Sequence, residues 1–250
     1  MDNETFAKRM RSMQQSSDFR LPKKNYTILQ LDGKAFRTWT KGLDIPFDSA
    51  FVRGMDGLAE LLVAKIPNVK LAYVQSDEVN LVLADFENEN SEPYYANRIQ
   101  KVVSTSAGLA SAYMTRAFPD KPLAVFDARF WVAPDKESVK DWFVWRQADG
   151  MKNSVRAVGY ARFSSSQLMN KNTQDVRNML TEIGDPWEAY DEGLQRGRVV
   201  TQVLEAKTTT FVHGRSGEKR TLDYEGMSWK ASPAEIFRDG EFLDKVIPSR

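Results

Sequence analysis

Two short acidic segments carry the residues whose types and positions suit chemistry. Asp32-Gly33 follows the apolar run Asn25–Leu31, and Ser76-Asp77-Glu78 separates two further apolar runs. Two carboxylates that lie together without a cation repel each other, and burial raises the cost of each charge. A native pair of this kind therefore binds a metal ion or shares a proton, and a metal ion is the stronger expectation here.

Magnesium is the ion that this chemistry favours. Mg²⁺ prefers a few carboxylate oxygens with waters and substrate phosphates, and two ions about 3.5–4 Å apart stabilise both reacting oxygens of a phosphoryl transfer. We expect Asp32 and Asp77 to bridge two ions, with the Gly33 carbonyl as a further ligand. Glu78 either ligates a metal or pairs with a basic side chain, because adjacent strand residues point to opposite faces. Each segment alone is also ordinary turn chemistry.

The elements that must position these segments follow from the spacing of apolar residues. Asn25–Leu31 predicts a first strand, and apolar residues at helical spacing predict a helix over Phe51–Ile66. The next two strands are expected at Val69–Gln75 and Val79–Ala84, joined by the Ser76-Asp77-Glu78 hairpin. A long helix is expected at about Tyr94–Ala117, and a further strand at Leu123–Val132.

This βαββαβ order predicts an α+β fold, a ferredoxin-like polymerase palm with two helices on one face of an antiparallel sheet. Such a sheet places the end of its first strand beside the hairpin between its second and third strands. Asp32 and Asp77 are therefore expected to converge.

The remainder of the chain predicts added helices and a C-terminal β-hairpin region. Helices are expected at Glu137 to about Gln147, near Gln167 and at Thr173–Ile183, and Val- and Thr-rich runs over 197–224 flank a turn at Gly214–Gly217. We find no repeat or clear linker. The expectation is one catalytic unit, 1–250, with a palm-like core at 25–133 and an extension at 134–250 packed on it.

The composition excludes several kinds of site. The chain has no cysteine, which excludes disulfides, thiolate zinc sites and cysteine nucleophiles, and favours a cytoplasmic location. Its one histidine, His213, is interpreted as structural. No apolar run approaches the roughly 20 residues of a membrane span, and the N-terminal segment lacks the apolar region of a signal peptide, so neither membrane insertion nor export is expected.

Basic residues are unevenly distributed although the formal net charge is only +1. Residues 1–41 hold nine Lys and Arg against four acids, which indicates a phosphate-binding face or, equally, a solvated one. Arg98 and Lys101 lie three residues apart on the second predicted helix and suit a triphosphate. An ordinary exposed basic stripe has the same pattern.

Several segments together resemble the family of tRNA(His) guanylyltransferases and their relatives, which add nucleotides to RNA in the 3′-to-5′ direction. The matching segments are Leu31–Phe36, Leu71–Glu78, Phe126–Arg129 and Trp145–Asp149, with looser matches at Leu168, Asn172 and Trp187–Gly197. The resemblance implies a polymerase-like palm with metal ligands at Asp32, Gly33 and Asp77, supported by Glu78. It also implies that ATP or GTP activates a 5′-monophosphorylated RNA end, which the 3′-hydroxyl of an incoming nucleotide then attacks.

The same resemblance implies further site residues and partners. Nucleotide contacts are expected from Lys34, Phe36, Arg37, Ser76, Arg98, Lys101 and Ser104. The Trp-Arg-Gln-x-Asp motif places Arg146, Gln147, Asp149 and the nearby Asn153 in RNA binding or in ordering the site, whereas Trp142 and Trp145 are expected in the core. The implied partners are two Mg²⁺ ions, ATP, GTP and tRNA, and the implied assembly is a homo-dimer or tetramer.

One departure from the family bears on the substrate. Where the tRNA(His)-specific enzymes have His-Ile-Asn-Asn-Leu-Tyr-Asn, this chain has Met151–Ala157, in which only Asn153 remains. The change resembles bacterial-type relatives that repair truncated tRNA 5′ ends. We therefore expect a Mg²⁺-dependent nucleotidyltransferase for tRNA 5′ ends. Alternatives are a tRNA(His)-specific enzyme that adds one G, an RNA-binding module on a catalytically decayed palm, and a cyclase-like enzyme on the same palm.

Overall fold

The computed structural model describes residues 3–212, 214, 217–238 and 240–250, and six strands in this part of the chain form one sheet. The strands are β1 (Tyr26–Gly33), β2 (Val69–Gln75), β3 (Glu78–Ala84), β4 (Phe126–Ala133), β5 (Arg198–Val212) and β6 (Lys219–Pro233). Their order is β4-β1-β3-β2-β5-β6, and every neighbouring pair is antiparallel. The first four strands have the ferredoxin-like order, so the predicted α+β palm is confirmed.

Helices lie on both faces of this sheet. They are α1 (Asn3–Gln15), α2 (Phe36–Trp39), α3 (Ser49–Lys65), α4 (Ile99–Ala117), α5 (Lys136–Arg162), α6 (Thr173–Glu182), α7 (Glu192–Arg196) and α8 (Phe242–Val246). Helices α3 and α4 pack on one face, as predicted for a palm, and α5 packs on the other. None of the helices in the described ranges combines the length and apolar character needed to cross a bilayer.

Alternate residues of the central strands fill two cores. Leu29 and Leu31 of β1 pack with Leu58 of α3 on one side. Ile28 packs on the other side, in a cluster that includes Phe143 of α5. Because both faces are covered, the central strands are mostly apolar, and the few polar residues within them, such as Gln30 and Asn80, are buried.

The predicted helix over Tyr94–Ala117 is wrong at its start. Tyr94–Asn97 forms a separate short turn, and α4 begins at Ile99. Tyr95, Ala96 and Asn97 have φ angles of 49°, 52° and 56°, and a right-handed helix cannot continue through such residues. The predicted strand at Leu123–Val132 likewise begins later, at Phe126.

The predicted helix from Glu137 to about Gln147 is too short. Helix α5 has 27 residues and runs on to Arg162, through Gly150. This glycine is required by packing, because a Cβ there would lie 2.6 Å from Cγ of Gln75 in β2. The helix expected near Gln167 is absent from the described residues, which have turns at this position, whereas α6 lies where a helix was predicted.

The predicted C-terminal hairpin consists of β5 and β6 and extends beyond Tyr224 to Pro233. Only its inner end joins the sheet, where Ala72–Val74 of β2 pair with Arg198–Val200. From Thr201 to Val212 the hairpin is a two-stranded ribbon, here called the arm. Arg215 and Ser216 of the predicted turn lie outside the described residues, and so does His213, which was interpreted as structural. The proposed division into a core and an extension stays a prediction.

Candidate metal and nucleotide site

The end of β1 meets the β2–β3 hairpin, as the sequence predicted. Asp32 is the direct cross-strand partner of Glu78 in β3 and, on its other side, of Asp127 in β4. Gln75 and Glu78 form the last pair of the hairpin, so its turn contains only two residues. The Gly33 amide donates a hydrogen bond to the Asp77 carbonyl over 3.2 Å. The structure therefore brings Asp32, Gly33 and Asp77 together.

Glycine at position 33 is required by the close approach of two side chains. A Cβ there would lie 2.8 Å from Oδ2 of Asp77 and 2.4 Å from Cδ2 of Phe36. The Asp77 carboxylate thus lies against the Gly33 backbone, with the ring of Phe36 beside it. Any larger residue would displace the carboxylate or this ring.

The two aspartates form an uncompensated pair of carboxylates. Burial and, to a smaller extent, the charges of Asp77, Glu78 and Asp127 together raise the pKa of Asp32 to about 6, against the opposing effect of Arg129. Burial also raises the pKa of Asp77, although the Ser76 hydroxyl donates to its Oδ1 over 3.0 Å. No Lys or Arg of the described residues forms an ion pair with either aspartate. Both carboxylates therefore favour a bound cation.

The donor set fits Mg²⁺. Among the described residues no group of three or more Asp, Glu, His or Cys side chains is arranged to hold a metal ion. The two Asp carboxylates and the Gly33 carbonyl would be the protein ligands of an ion bound here. Mg²⁺ is commonly held by one or two carboxylates, with waters and substrate phosphates completing its octahedral shell. A zinc site would need three or four protein ligands, usually including His or Cys.

Glu78 pairs with a basic side chain, one of the two alternatives that its sequence position left open. Arg146 of α5 donates from Nε to Oε1 over 2.7 Å and from Nη2 to Oε2 over 2.5 Å. Asn80 donates to the same Oε1 over 2.6 Å. Both carboxylate oxygens of Glu78 are therefore occupied by protein donors.

One face of α5 extends this network. Arg146, Asp149 and Asn153 lie at i, i+3 and i+7, so they project on the same side of the helix. Nη1 of Arg146 lies 3.3 Å from Oδ2 of Asp149, and Asn153 donates to that same oxygen over 3.5 Å. The structure thus joins these three predicted residues to Glu78.

Two other residues of the motif lie elsewhere. Gln147 accepts a hydrogen bond from the Phe237 amide and donates to the Glu235 carbonyl, each over 2.8 Å, so it holds the C-terminal segment and not the carboxylates. Trp145 is 56% exposed, so its expected core position is wrong. Its ring lies 4.7 Å from the Arg146 guanidinium. Trp142 is partly buried and packs against the second core.

Three of the residues expected to contact the nucleotide lie near Gly33, and their side chains differ in exposure to solvent. Phe36 is buried against Trp39 and Phe126, so its contribution is to packing beneath the site. Lys34 and Arg37 are exposed and form no ion pair with the described residues. These two cations are therefore available to an anion beside Asp32 and Asp77.

The second expected group of nucleotide residues surrounds the start of α4. Arg98 and Lys101 line a surface recess with Arg20 and Tyr95, and Ser104 is exposed further along the helix. Arg98 donates to Asp18 over 3.1 and 2.8 Å. No hydrogen bond or ion pair joins this recess to Asp32 or Asp77 within the described part of the chain.

Sequence reasoning missed one recess that borders the hairpin. The segment from Thr40 to Val52 forms one wall, Gln75 and Ser76 form the rim beside Asp77, and Asn153 lies on the α5 side. Its apolar and acidic residues do not form a recognisable motif, and only the folded chain brings them together. Asn80, which donates to Glu78, was also missed, because its side chain has no distinctive sequence context.

Comparison with known proteins yields consistent matches. The family model described as Thg1, tRNAHis guanylyltransferase, matches residues 7–134. The curated tRNA(His) guanylyltransferase of Debaryomyces hansenii is 27% identical over 207 residues, which cover 74% of this chain and 76% of that protein. The chain spans about half the length of other curated relatives that it matches.

Solved structures match over nearly the whole chain. A bacterial tRNA(His) guanylyltransferase (Thg1)-like protein in complex with ATP has a TM-score of 0.84 and 27% identity, covering 98% of this chain and all of that one. A GTP complex described by the same name has a TM-score of 0.80 and 25% identity, with 97% and 98% coverage.

Proposed function

Because the chain belongs to the tRNAHis guanylyltransferase family, we propose that it is a Mg²⁺-dependent nucleotidyltransferase that extends tRNA 5′ ends in the 3′-to-5′ direction. The convergence of Asp32, Gly33 and Asp77 at one end of a palm sheet carries this proposal. Structural neighbours in complex with ATP and GTP support these nucleotides as substrates.

Each site residue has a role in the proposed reaction. Asp32 and Asp77 would hold two Mg²⁺ ions with the Gly33 carbonyl, and Arg146 neutralises Glu78 beside them. When bound, the ions offset negative charge on the attacking and leaving oxygens. Exposed Lys34 and Arg37 suit the triphosphate, and the recess beside Ser76 suits the nucleoside.

The proposed chemistry has two phosphoryl transfers. The 5′-phosphate of the RNA attacks the α-phosphorus of ATP and releases pyrophosphate, which leaves an adenylylated 5′ end. The 3′-hydroxyl of an incoming nucleoside triphosphate then attacks the RNA 5′-phosphorus and releases AMP. Arg98 and Lys101 line a second anion-binding recess, which suits a triphosphate that is not held between the aspartates.

A guanylyltransferase restricted to tRNA(His) is the second candidate. Its support is the name shared by the curated relatives. The segment Met151–Ala157 favours the broader activity, because it lacks most of the motif found in tRNA(His)-specific members.

An addition assay on a panel of tRNAs tests the proposal. Purified protein is incubated with 5′-truncated tRNAs, including tRNA(His), together with ATP, the four nucleoside triphosphates and Mg²⁺. We expect nucleotides to be added to several tRNAs, and no addition with a chelator or with Asp77→Asn. Addition of a single G to tRNA(His) alone would support the second candidate. Salt-sensitive tRNA binding without addition would indicate a decayed palm and overturn the proposal.

A further inference from the structure

A chain of hydrogen bonds leads from helix α5 to the carboxylate beside the metal site. The Trp142 indole donates from Nε1 to Oδ1 of Asn80 over 3.1 Å, and Asn80 donates from Nδ2 to Glu78. We propose that Asn80 and Trp142 are positioning residues that aim Glu78 at Arg146 and keep it out of the metal coordination shell. The inference rests on the proposed function, because it concerns the site of that reaction.

The orientation of Glu78 must be controlled because its carboxylate adjoins both proposed metal ligands. Glu78 follows Asp77 in sequence and is the direct cross-strand partner of Asp32. A free carboxylate here would be a third anionic ligand and would replace a water or a substrate phosphate oxygen in the shell. A metal ion held that way binds more tightly but has fewer positions for substrate.

The orientation of the Asn80 side-chain amide decides whether its NH₂ group or its Oδ1 atom faces the Glu78 carboxylate. An indole N–H only donates, so Trp142 fixes Oδ1 of Asn80 as the acceptor and leaves the NH₂ group facing Glu78. With the amide flipped, Oδ1 would face the carboxylate. Asn80 is fully buried, so water could not relieve that repulsion.

Asn80 and Arg146 together satisfy the Glu78 carboxylate. Oε1 accepts from Asn80 and from Nε of Arg146, and Oε2 accepts from Nη2. Arg146 is itself held by Asp149. Removing the Asn80 donor leaves one fewer contact opposing the attraction of a metal ion for Glu78.

Two uncharged substitutions test the proposal. Asn80→Leu keeps the approximate shape and removes the donor, and Trp142→Phe keeps the ring and removes the N–H that orients Asn80. Trp131→Phe is the matched control, because Trp131 packs on Trp142 at 4.7 Å and its indole makes no hydrogen bond within the described residues. Asn80→Ser is the conservative variant, since a hydroxyl can still donate to Glu78.

The expected signature is tighter metal binding with slower chemistry. We expect Asn80→Leu and Trp142→Phe to lower the Mg²⁺ concentration at half-maximal addition about threefold and kcat about tenfold, with KM for the nucleotide within about twofold. Asn80→Ser should recover most of kcat, and Trp131→Phe should match the wild type. In a Glu78→Gln background the effect of Asn80→Leu on Mg²⁺ should disappear.

A merely structural role gives a different result. If Asn80→Leu and Trp142→Phe lower the melting temperature but leave the Mg²⁺ midpoint and kcat as in Trp131→Phe, the proposal is wrong; a raised Mg²⁺ midpoint also overturns it. If the wild type adds no nucleotide, the function fails separately. The Mg²⁺ dependence of the melting temperature then gives the same midpoint and still tests the positioning role.

Discussion

At the scale of single residues, one carboxylate of the site is neutralised by a cation and two carboxylates are not. Glu78 meets Arg146 and Asn80, whereas Asp32 and Asp77 have no cationic partner among the described residues. Their repulsion lowers the stability of the protein when no metal is bound, and the same repulsion favours cation binding. Stability and metal binding are therefore opposed at these two positions.

The first prediction concerns the metal-free stability of Asp32→Asn. The folded pKa of Asp32, about 6, lies above its ordinary value of 3.8, so its stability contribution falls as pH rises from about 4 to about 6. The amide has no such loss, and we expect the variant to be more stable than wild type by about 1 kcal/mol above pH 6, after allowance for solvent screening. Urea unfolding with a chelator at pH 4.5 and 7.5 measures this; an equal gap at both pH values contradicts it.

The second prediction concerns Gly33→Ala. The added Cβ meets Phe36 and Asp77 at distances that no packing tolerates, so the carboxylate must move. We expect about 1–3 kcal/mol of destabilisation and roughly a hundredfold loss of kcat. Chemical unfolding and the addition assay measure the two effects. Gly108→Ala is the control, since its Cβ would meet nothing within 4 Å, and a similar loss in both variants would refute the steric explanation.

At the scale of elements, α5 serves two purposes on two faces. One face carries Arg146 to the hairpin, and another carries Gln147 to the backbone of the C-terminal segment. Two adjacent residues of one motif thus have different roles: Arg146 contacts the site, and Gln147 stabilises the fold. Adjacent residues of a helix project about 100° apart, so this division follows directly from helical geometry.

Gln147→Leu provides the third prediction. The substitution leaves the Phe237 amide and the Glu235 carbonyl without their partner, and a buried unpaired group costs about 1–3 kcal/mol. We expect a loss of about 2 kcal/mol or more in the free energy of unfolding, with kcat within about twofold of wild type. Gln174→Leu, at an exposed position of α6, should change stability by less than about 0.5 kcal/mol. A large fall in kcat without loss of stability would place Gln147 in the site instead.

The sequence predicted those elements whose pattern is local. Apolar runs that end in Asp32-Gly33 and Ser76-Asp77-Glu78 gave both strands and their meeting point, because the ferredoxin-like order places these ends side by side. The reversal at Tyr95–Asn97 was missed, since non-glycine residues with positive φ have no distinctive sequence pattern. The partner of Glu78 was missed as well, because Arg146 lies 68 residues away and the pairing depends on how α5 packs.

At the scale of the whole molecule, the site depends on the inner part of the sheet, and the arm extends beyond it. Leu204 and Met227, an opposed pair in the arm, are 63% and 51% exposed. The side chains of Leu204 and Met227 therefore contribute little to either hydrophobic core. The described part of the arm beyond this pair is thus separable from the fold in energetic terms, whereas Trp229, opposite Gln202, still packs against the first core.

Shortening the arm is the fourth prediction. Replacing residues 205–226 by Asn-Gly joins Leu204 to Met227 by a two-residue hairpin turn. We expect the melting temperature to stay within about 3 °C of wild type, because the described residues of the removed segment bury little apolar surface. Thermal unfolding measures this. A fall of more than about 10 °C would show that the arm supports the core.

The stacking of Arg146 on Trp145 has a practical consequence. A half-exposed indole 4.7 Å from a guanidinium has an emission that depends on the position of that cation. Because the guanidinium is also bonded to Glu78, a rearrangement that displaces Glu78 also displaces the neighbour of this fluorophore. The difference in fluorescence between the wild type and Trp145→Phe therefore isolates a natural optical reporter of the site, and the chain needs no added label.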